Sequence, residues 1–362
     1  MVRRARHQLF VQCVPGSERL VEAELRRLGL HTGRRVRGGV EADGSTRQIY
    51  LANRQCRLAT RILLRVGRFT ADTFAALEAG TARIDWSPWV GDQHVVVRVG
   101  TSSSRLYHTD AIAERVAAAI GPGRGNTTQR IHVRLRDDRA TLSVDTSGDA
   151  LHHRGWRAGG AKAPLRPTIA AALLVAAGYD GRGPLIDPFC GSGTIPIEAA
   201  RMAAHLPPGV GRQFAFQHWP TFEPGTWASV AAATAPEPAA VVVASDRDAG
   251  AVATTVANAR RAEVTIDVSE RSLSAVVNPG SDRGWLITNP PYGKRIRTGD
   301  VRDLYARLGQ VARAELAGWT VALLTNDIVA AGHAGLCLEP ALSLSNGGIA
   351  VHALVGRVPP AD

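Results

Sequence analysis

The stretch Asp187-Pro188-Phe189-Cys190-Gly191-Ser192-Gly193-Thr194 restricts the folds open to this chain more than any other, because it follows an apolar strand, Pro184–Ile186, and opens a helix, Gly193–Ala204. A glycine loop at such a junction lets backbone approach a nucleotide-like ligand. The loop reads Gly-x-Gly-x-x-Pro, with Pro196 where a dinucleotide fingerprint has its third glycine, and this argues against a pyrophosphate ligand. Asp187, at the end of the strand, suits the cationic amine of a methionine moiety better than a phosphate.

From Gly148 onward apolar runs alternate with helices in a βαβ rhythm. Helices are expected at Thr168–Ala177, Asp248–Arg260 and Val301–Ala317, and strands at Ala239–Ser245, Trp285–Thr288 and Trp319–Leu324. Two closing strands, Ala341–Ser345 and Ile349–Val355, flank the turn Asn346-Gly347-Gly348. A parallel sheet that ends in an antiparallel hairpin is the arrangement of a class I methyltransferase, not of a dehydrogenase. Asp246 ends the second strand of the series, where a carboxylate can accept from both ribose hydroxyls of an adenosine; Asp248 is placed to cap the next helix. The insertion from Pro207 to Pro238 carries Phe214, Phe216, Trp219 and Trp227, which read as a packed flap and not as a base-stacking platform.

Asn289-Pro290-Pro291-Tyr292 ends the third strand. The lone pair of a nucleobase or amide NH2 is delocalised, so methylating it requires fixing both N–H bonds. An Asn side-chain oxygen and one backbone carbonyl can do that, although Pro-Pro between Asn and Tyr also suits a turn after any strand. Pro291 biases Pro290 toward extended backbone, each ring fixes its own φ, and Tyr292 offers a stacking face. Strand ends of an open parallel sheet converge on one crevice, so this clamp and the glycine loop are expected to face each other.

Residues before Gly148 read as an α+β pattern of small units, with strands at Ile62–Val66, His94–Val99, Arg130–Leu135 and Thr141–Val144. The formal net charge is +11, and 41 of the 43 basic residues are Arg. Residues 1–150 hold 24 Arg against 15 acids, a net of +9, whereas 151–362 hold 19 basic residues against 17 acids, a net of +2. The front half is therefore the expected polyanion grip. Cys13, Cys56, Cys190 and Cys337 lie far apart with no Cys-x-x-Cys pair, so no metal site is expected, and reduced core cysteines fit a cytoplasmic protein. No apolar run is long enough for a transmembrane helix and no signal peptide is expected.

Taken in order, several stretches resemble the THUMP-domain RNA guanine-N2 methyltransferases, which act on ribosomal or transfer RNA. They are Leu151-His152-His153-Arg154-Gly155-Trp156-Arg157, Ala163-Pro164-Leu165-Arg166, the glycine loop, Phe214-Ala215-Phe216 to Trp219, Ser245-Asp246-Arg247-Asp248 with Asn258, and Thr288-Asn289-Pro290-Pro291-Tyr292-Gly293. The resemblance implies an α/β chain in three parts: a ferredoxin-like domain (1–50), an RNA-binding THUMP domain (51–147) and a class I, Rossmann-like methyltransferase domain (148–362). It implies that Thr168, Asp187, Phe189, Gly191, Gly193, Asp246 and Asn289 hold S-adenosylmethionine. Asn289, Pro290 and Tyr292 would hold the target base of a structured RNA, in a monomer with neither membrane nor metal. Family members place an Asp near the end of the strand before the clamp; here the stretch is Val268-Ser269-Glu270-Arg271-Ser272-Leu273, with Glu270 or a backbone carbonyl as substitutes. Adenine N6 and a glutamine amide present the same kind of NH2, and a noncatalytic RNA assembly factor would keep the fold.

Overall fold

Alternating apolar residues put one face of each N-terminal strand in a core, as with Leu9 and Val11 of β1 (His7–Cys13) and Ile131, Val133 and Leu135 of β6 (Thr128–Arg136). The computed structural model describes residues 6–157, 165–232, 240–291 and 298–360, with backbone only at 298–300. The chain divides into two units, the first holding residues 1–13, 21–151 and 209–232 and the second the remainder.

In the first unit β1 and β6 join β2 (His31–Val36), β3 (Gly39–Gly44), β4 (Ala59–Thr70), β5 (His94–Ser102) and β7 (Arg139–Asp145). They form one sheet of order β2-β3-β1-β4-β7-β6-β5, antiparallel except for the β5–β6 pair. Because β4 lies between β1 and β7, strands from both sides of residue 50 share this sheet. Helices α1 (Glu18–Arg27), α2 (Thr46–Gln55), α3 (Phe74–Ala82) and α4 (Thr109–Ile120) accompany it. Ser45 starts α2 through a capping box with Gln48. Helix α3 lies on the apolar face: a Cβ at Gly80 would meet the ring of Phe69, whose strand partner is the buried Ala140.

The second unit contains α5 (Pro167–Ala176), β8 (Leu185–Asp187), α6 (Thr194–Ala203), β9 (Val242–Asp246), α8 (Ala249–Arg261), β10 (Asp267–Glu270), β11 (Trp285–Thr288), α9 (Thr298–Glu315), β12 (Thr320–Thr325), α10 (Ile328–Gly332), β13 (Leu338–Asn346) and β14 (Ile349–Arg357). Its sheet has the order β10-β9-β8-β11-β12-β14-β13, parallel up to β12 and closed by the antiparallel β14 and β13. This is the parallel sheet with a terminal hairpin that the βαβ rhythm implies. Pro196 sits in the first turn of α6, where a missing N–H costs nothing. Trp319 is 0% exposed among Leu286, Leu308, Leu316 and Leu354, and its Nε1–H donates to the Ser281 carbonyl at 3.0 Å.

The insertion between α6 and β9, with its own helix α7 (Pro224–Ala231), groups with the first unit from Gly209 to Ala232. Phe216 stacks on Tyr50 with ring centroids 4.2 Å apart and lies 5.3 Å from Phe214, and the Trp219 Nε1–H donates to Gln129 Oε1 at 2.8 Å. Phe214, Phe216 and Trp219 are all buried, so the flap is core and offers no stacking surface. Among the described residues no helix is long and apolar enough to cross a membrane, and no group of His, Cys, Asp or Glu is arranged to hold a metal ion.

Trp319→Ala should destabilise the chain by about 3–5 kcal/mol through loss of burial and the cavity left behind, measured as a fall in urea midpoint; a shift of only a few tenths would show that this core does not carry the second sheet.

Candidate functional site

Adjacent parallel strands deliver the site residues to one edge of the second sheet. β8 ends at Asp187, β9 at Asp246 and β11 at Thr288, with Asn289 the next residue. Asp187 is 1% exposed, and its Oδ1 accepts the Thr288 hydroxyl at 2.5 Å and the Phe189 N–H at 3.1 Å. The hydroxyl of Thr288 thus ties the strand that leads into Asn289 to the strand that leads into the glycine loop.

Burial pushes the Asp187 carboxyl up to about 7, with the Asp246 charge adding to the rise and the Thr288 and Phe189 hydrogen bonds opposing it. A buried carboxyl in that state gains most from a cation set beside it. The Cys190 thiol is pushed up to about 12, first by burial and then by Asp187, and so stays protonated and is no nucleophile.

The loop is held from three sides. Gly191 N–H donates to Asp246 Oδ2 at 3.0 Å, and Cys190 N–H donates to the Ser245 carbonyl at 3.0 Å. From α8, the Thr255 hydroxyl donates to the Gly191 carbonyl at 2.9 Å and the Asn258 amide to the Ser192 carbonyl at 2.9 Å. Gly191 and Gly193 have φ of +54° and +82°, a region costly for residues with a Cβ. Among the described residues, its chain neighbours aside, none has a heavy atom within 4 Å of where a Cβ of Gly191 would stand, so a ligand has backbone to approach there.

Asp246 takes a second N–H, from Asp248, on Oδ1 at 3.1 Å. Two of a carboxylate's roughly four acceptor sites are thereby used, which fixes its plane and leaves about two for hydroxyl donors. Asp248 caps α8 through Gly250 and Ala251, as the spacing implies. Glu270 ends β10 directly beside Asp246 in register and is exposed. Phe189 is half-buried and packs against the core cluster that contains Leu286 and Trp319.

Several polar atoms in this unit are buried without a partner among the described residues, Trp156 Nε1, Arg157 Nε and Tyr179 OH among them; two, Asn289 Oδ1 and Thr168 Oγ1, belong to residues expected in the site. An orphaned buried acceptor or hydroxyl costs about 1–3 kcal/mol, so each marks a place where a ligand can supply what the protein does not. Pro290 is buried next to Asn289. Tyr292 lies outside the described residues. Sequence reasoning missed Thr288 and Thr255, whose only signal was a hydroxyl at a strand end and on the helix behind the loop.

Comparison with known proteins bears on this arrangement. The family model described as UPF0020, RMKL-like methyltransferase domain, matches residues 154–335, and the model for the RlmL ferredoxin-like domain matches residues 8–63. A ribosomal RNA large subunit methyltransferase K/L of Vibrio parahaemolyticus is 32% identical over 93% of this chain and 51% of its own length. The chain therefore spans about half the length of the curated relatives it matches. The solved structure of SMU.472, complexed with SAH, superposes with a TM-score of 0.90 at 28% identity over 99% of both chains. A structure described as a predicted N6-adenine-specific DNA methylase from Listeria monocytogenes gives 0.87 at 28% identity over 96% of both. With an RMKL-like match running through the glycine loop and Asn289, behind an RlmL-type ferredoxin-like segment, this chain belongs to the RMKL-like methyltransferase family.

Proposed function

We propose that the chain transfers a methyl group from S-adenosylmethionine to the exocyclic N2 amine of a guanosine in ribosomal or transfer RNA. The observation that carries this reading is the orphaned Asn289 Oδ1, one residue from the Thr288 hydroxyl that holds the buried Asp187. A planar NH2 needs two acceptors, and Asn289 Oδ1 with the Pro290 carbonyl can supply them.

The residues present fit the cofactor. Asp187 suits its cationic amine, Asp246 its ribose hydroxyls, the open backbone at Gly191 a close approach, and the unpartnered Thr168 hydroxyl its methionine end. When bound, the cofactor supplies an electrophilic methyl on a sulfonium. The protein's own part is to hold the amine's two N–H bonds so that the lone pair points at that methyl, a gain from positioning and not from a strong base. Tyr292 stacks the base, worth about 1–3 kcal/mol. A pocket of this kind cannot reach into a duplex, so the target is looped out or flipped. Residues 1–50 and 51–147 serve as ferredoxin-like and THUMP parts that grip RNA, and 148–362 as the catalytic part. The net charge of +9 over residues 1–150 and the ribosomal RNA methyltransferase names of the relatives support an RNA substrate. Guanine N2 follows from the family resemblance, while the description of the Listeria structure supports adenine N6 as a second reading.

Asn289→Ala should lower methylation of RNA by at least about a hundredfold, while calorimetry shows S-adenosylmethionine still bound; retained turnover would sink the clamp. Nucleoside analysis of the product decides between N2-methylguanosine and N6-methyladenosine, and an unlabelled RNA with no cofactor binding would favour a noncatalytic assembly factor.

Binding of the cationic amine requires Asp187 ionised, and burial holds its carboxyl at about 7. Affinity for S-adenosylmethionine should therefore rise as pH passes from 6 to 8 and then level off, and Asp187→Asn should abolish the slope. The ligand-free chain follows the opposite trend. Its unfolded form loses this proton near the ordinary 3.8 and its folded form only near 7, so this group's contribution to stability falls as pH rises between those values.

Thr288→Val removes a bond that lowers the Asp187 carboxyl. It should shift the rise in cofactor affinity to higher pH without unfolding the chain. An unchanged profile would show that Thr288 does not control Asp187.

A further inference from the structure

The first unit's sheet has two unlike faces. One is apolar and carries α3 and, through Gln129, the aromatic flap. The other can be followed by register across four strands. Arg68 of β4 pairs with Thr141 of β7, which pairs with Arg134 of β6; Arg139 of β7 pairs with Arg136 of β6; and Arg98 of β5 pairs with His132 of β6. Partners in a ladder point to the same side, and the neighbours of Arg134 and Thr141 along their strands, Val133, Leu135, Ala140 and Leu142, are buried on the other. Guanidinium groups therefore rise from one face in rows about 5 Å apart across strands and about 7 Å apart along them.

These cations are not neutralised from within. Arg68, Arg98, Arg134 and Arg139 are exposed and have no ion-pair partner among the described residues; Arg136 meets only the exposed Asp137, at 3.3 Å. Further along the face Arg61 and Arg130 share one buried carboxylate, Asp145, and both donate to the Gly148 carbonyl at 2.6 and 2.7 Å. Two positive charges thus meet one buried acid, and hydrogen bonds fix them in position. His132, in the middle of the array, is pushed down to about 3, by burial first and then by the charges of Arg61, Arg130 and Arg98. Of the acids near the array, the exposed Asp149 acts on Arg61, Asp137 meets Arg136, and Glu41, on β3, pairs with Arg65.

We propose that this helix-free face of β4, β7, β6 and β5 is the surface on which the substrate RNA lies, held through its phosphates. The proposal rests on the reading that the substrate is RNA, and charge complementarity selects a phosphodiester backbone as the occupant. The array is made of strand residues in a rigid sheet, so it presents a fixed shape. It should favour folded RNA and be indifferent to base identity.

The test compares two full-length variants with equal loss of charge. One carries Arg68→Gln, Arg98→Gln and Arg134→Gln on the open face. The other carries Arg27→Gln, Arg47→Gln and Arg83→Gln, exposed residues of α1, α2 and the end of α3. The probe is unmodified large-subunit ribosomal RNA transcribed in vitro, titrated at several salt concentrations. The open-face variant should bind at least about tenfold more weakly at low salt, with the slope of log affinity on log salt reduced by about 2–3, since each phosphate contact contributes about 0.9. Its calorimetric affinity for S-adenosylmethionine should be unchanged, and the helical-side variant should bind RNA like the parent. Equal losses in both variants, or none in the open-face variant, would overturn the assignment of the face while leaving RNA as substrate. A parent chain that binds this RNA no better than heparin would overturn the RNA reading itself.

Discussion

The 2.5 Å hydrogen bond from the Thr288 hydroxyl to the Asp187 carboxyl is the interaction on which the site depends. It joins the ends of two neighbouring strands, one leading into the glycine loop and the other into Asn289. Asp187 begins the loop that contains Gly191, and Thr288 precedes Asn289. Burial disfavours charge on Asp187, the Asp246 charge adds to that cost, and the Thr288 hydroxyl and Phe189 N–H oppose it. A carboxyl buried this way carries a raised pKa, and such perturbed groups are more typical of functional positions than of structural ones.

Much of this was legible because the signals are local. A strand, a glycine loop and a helix follow one another within twenty residues, and the period of apolar residues announces each element. Asp187, Asp246 and Asn289 stand where strands end, so a parallel sheet had to gather them at one edge, and it does. The partners that hold them were not legible. Nothing in the neighbourhood of Thr288 indicates that its hydroxyl meets an acid a hundred residues earlier, and Thr255 reads as an ordinary helix residue. The β2–β3 hairpin was also missed: β2 is an edge strand whose Arg34 and Arg35 are exposed, so it lacks the alternation that marks a half-buried strand.

Net charge, in the same way, pointed to a half of the chain and not to a face. The excess of arginine before residue 150 spreads over helices, turns and strands alike. Register separates the arginines that share a surface from those that merely share a domain. Asp145 shows why such a surface can persist: a single buried carboxylate holds Arg61 and Arg130 side by side, which their mutual repulsion would otherwise oppose.

The aromatic flap has a consequence for the order in which the chain can fold. Tyr50 and Gln129 find their partners in Phe216 and Trp219, which are made only after the glycine loop has emerged. The first unit, although it begins at the N-terminus, cannot close its core until synthesis has passed residue 232. By then α5, β8 and α6 of the second unit have already been made, so its synthesis is under way before the first unit can complete its core. Exchanging one front half for another between relatives would likewise require moving two separate pieces of sequence, since Gly209–Ala232 belongs to the sheet it covers and not to the domain that surrounds it in the chain.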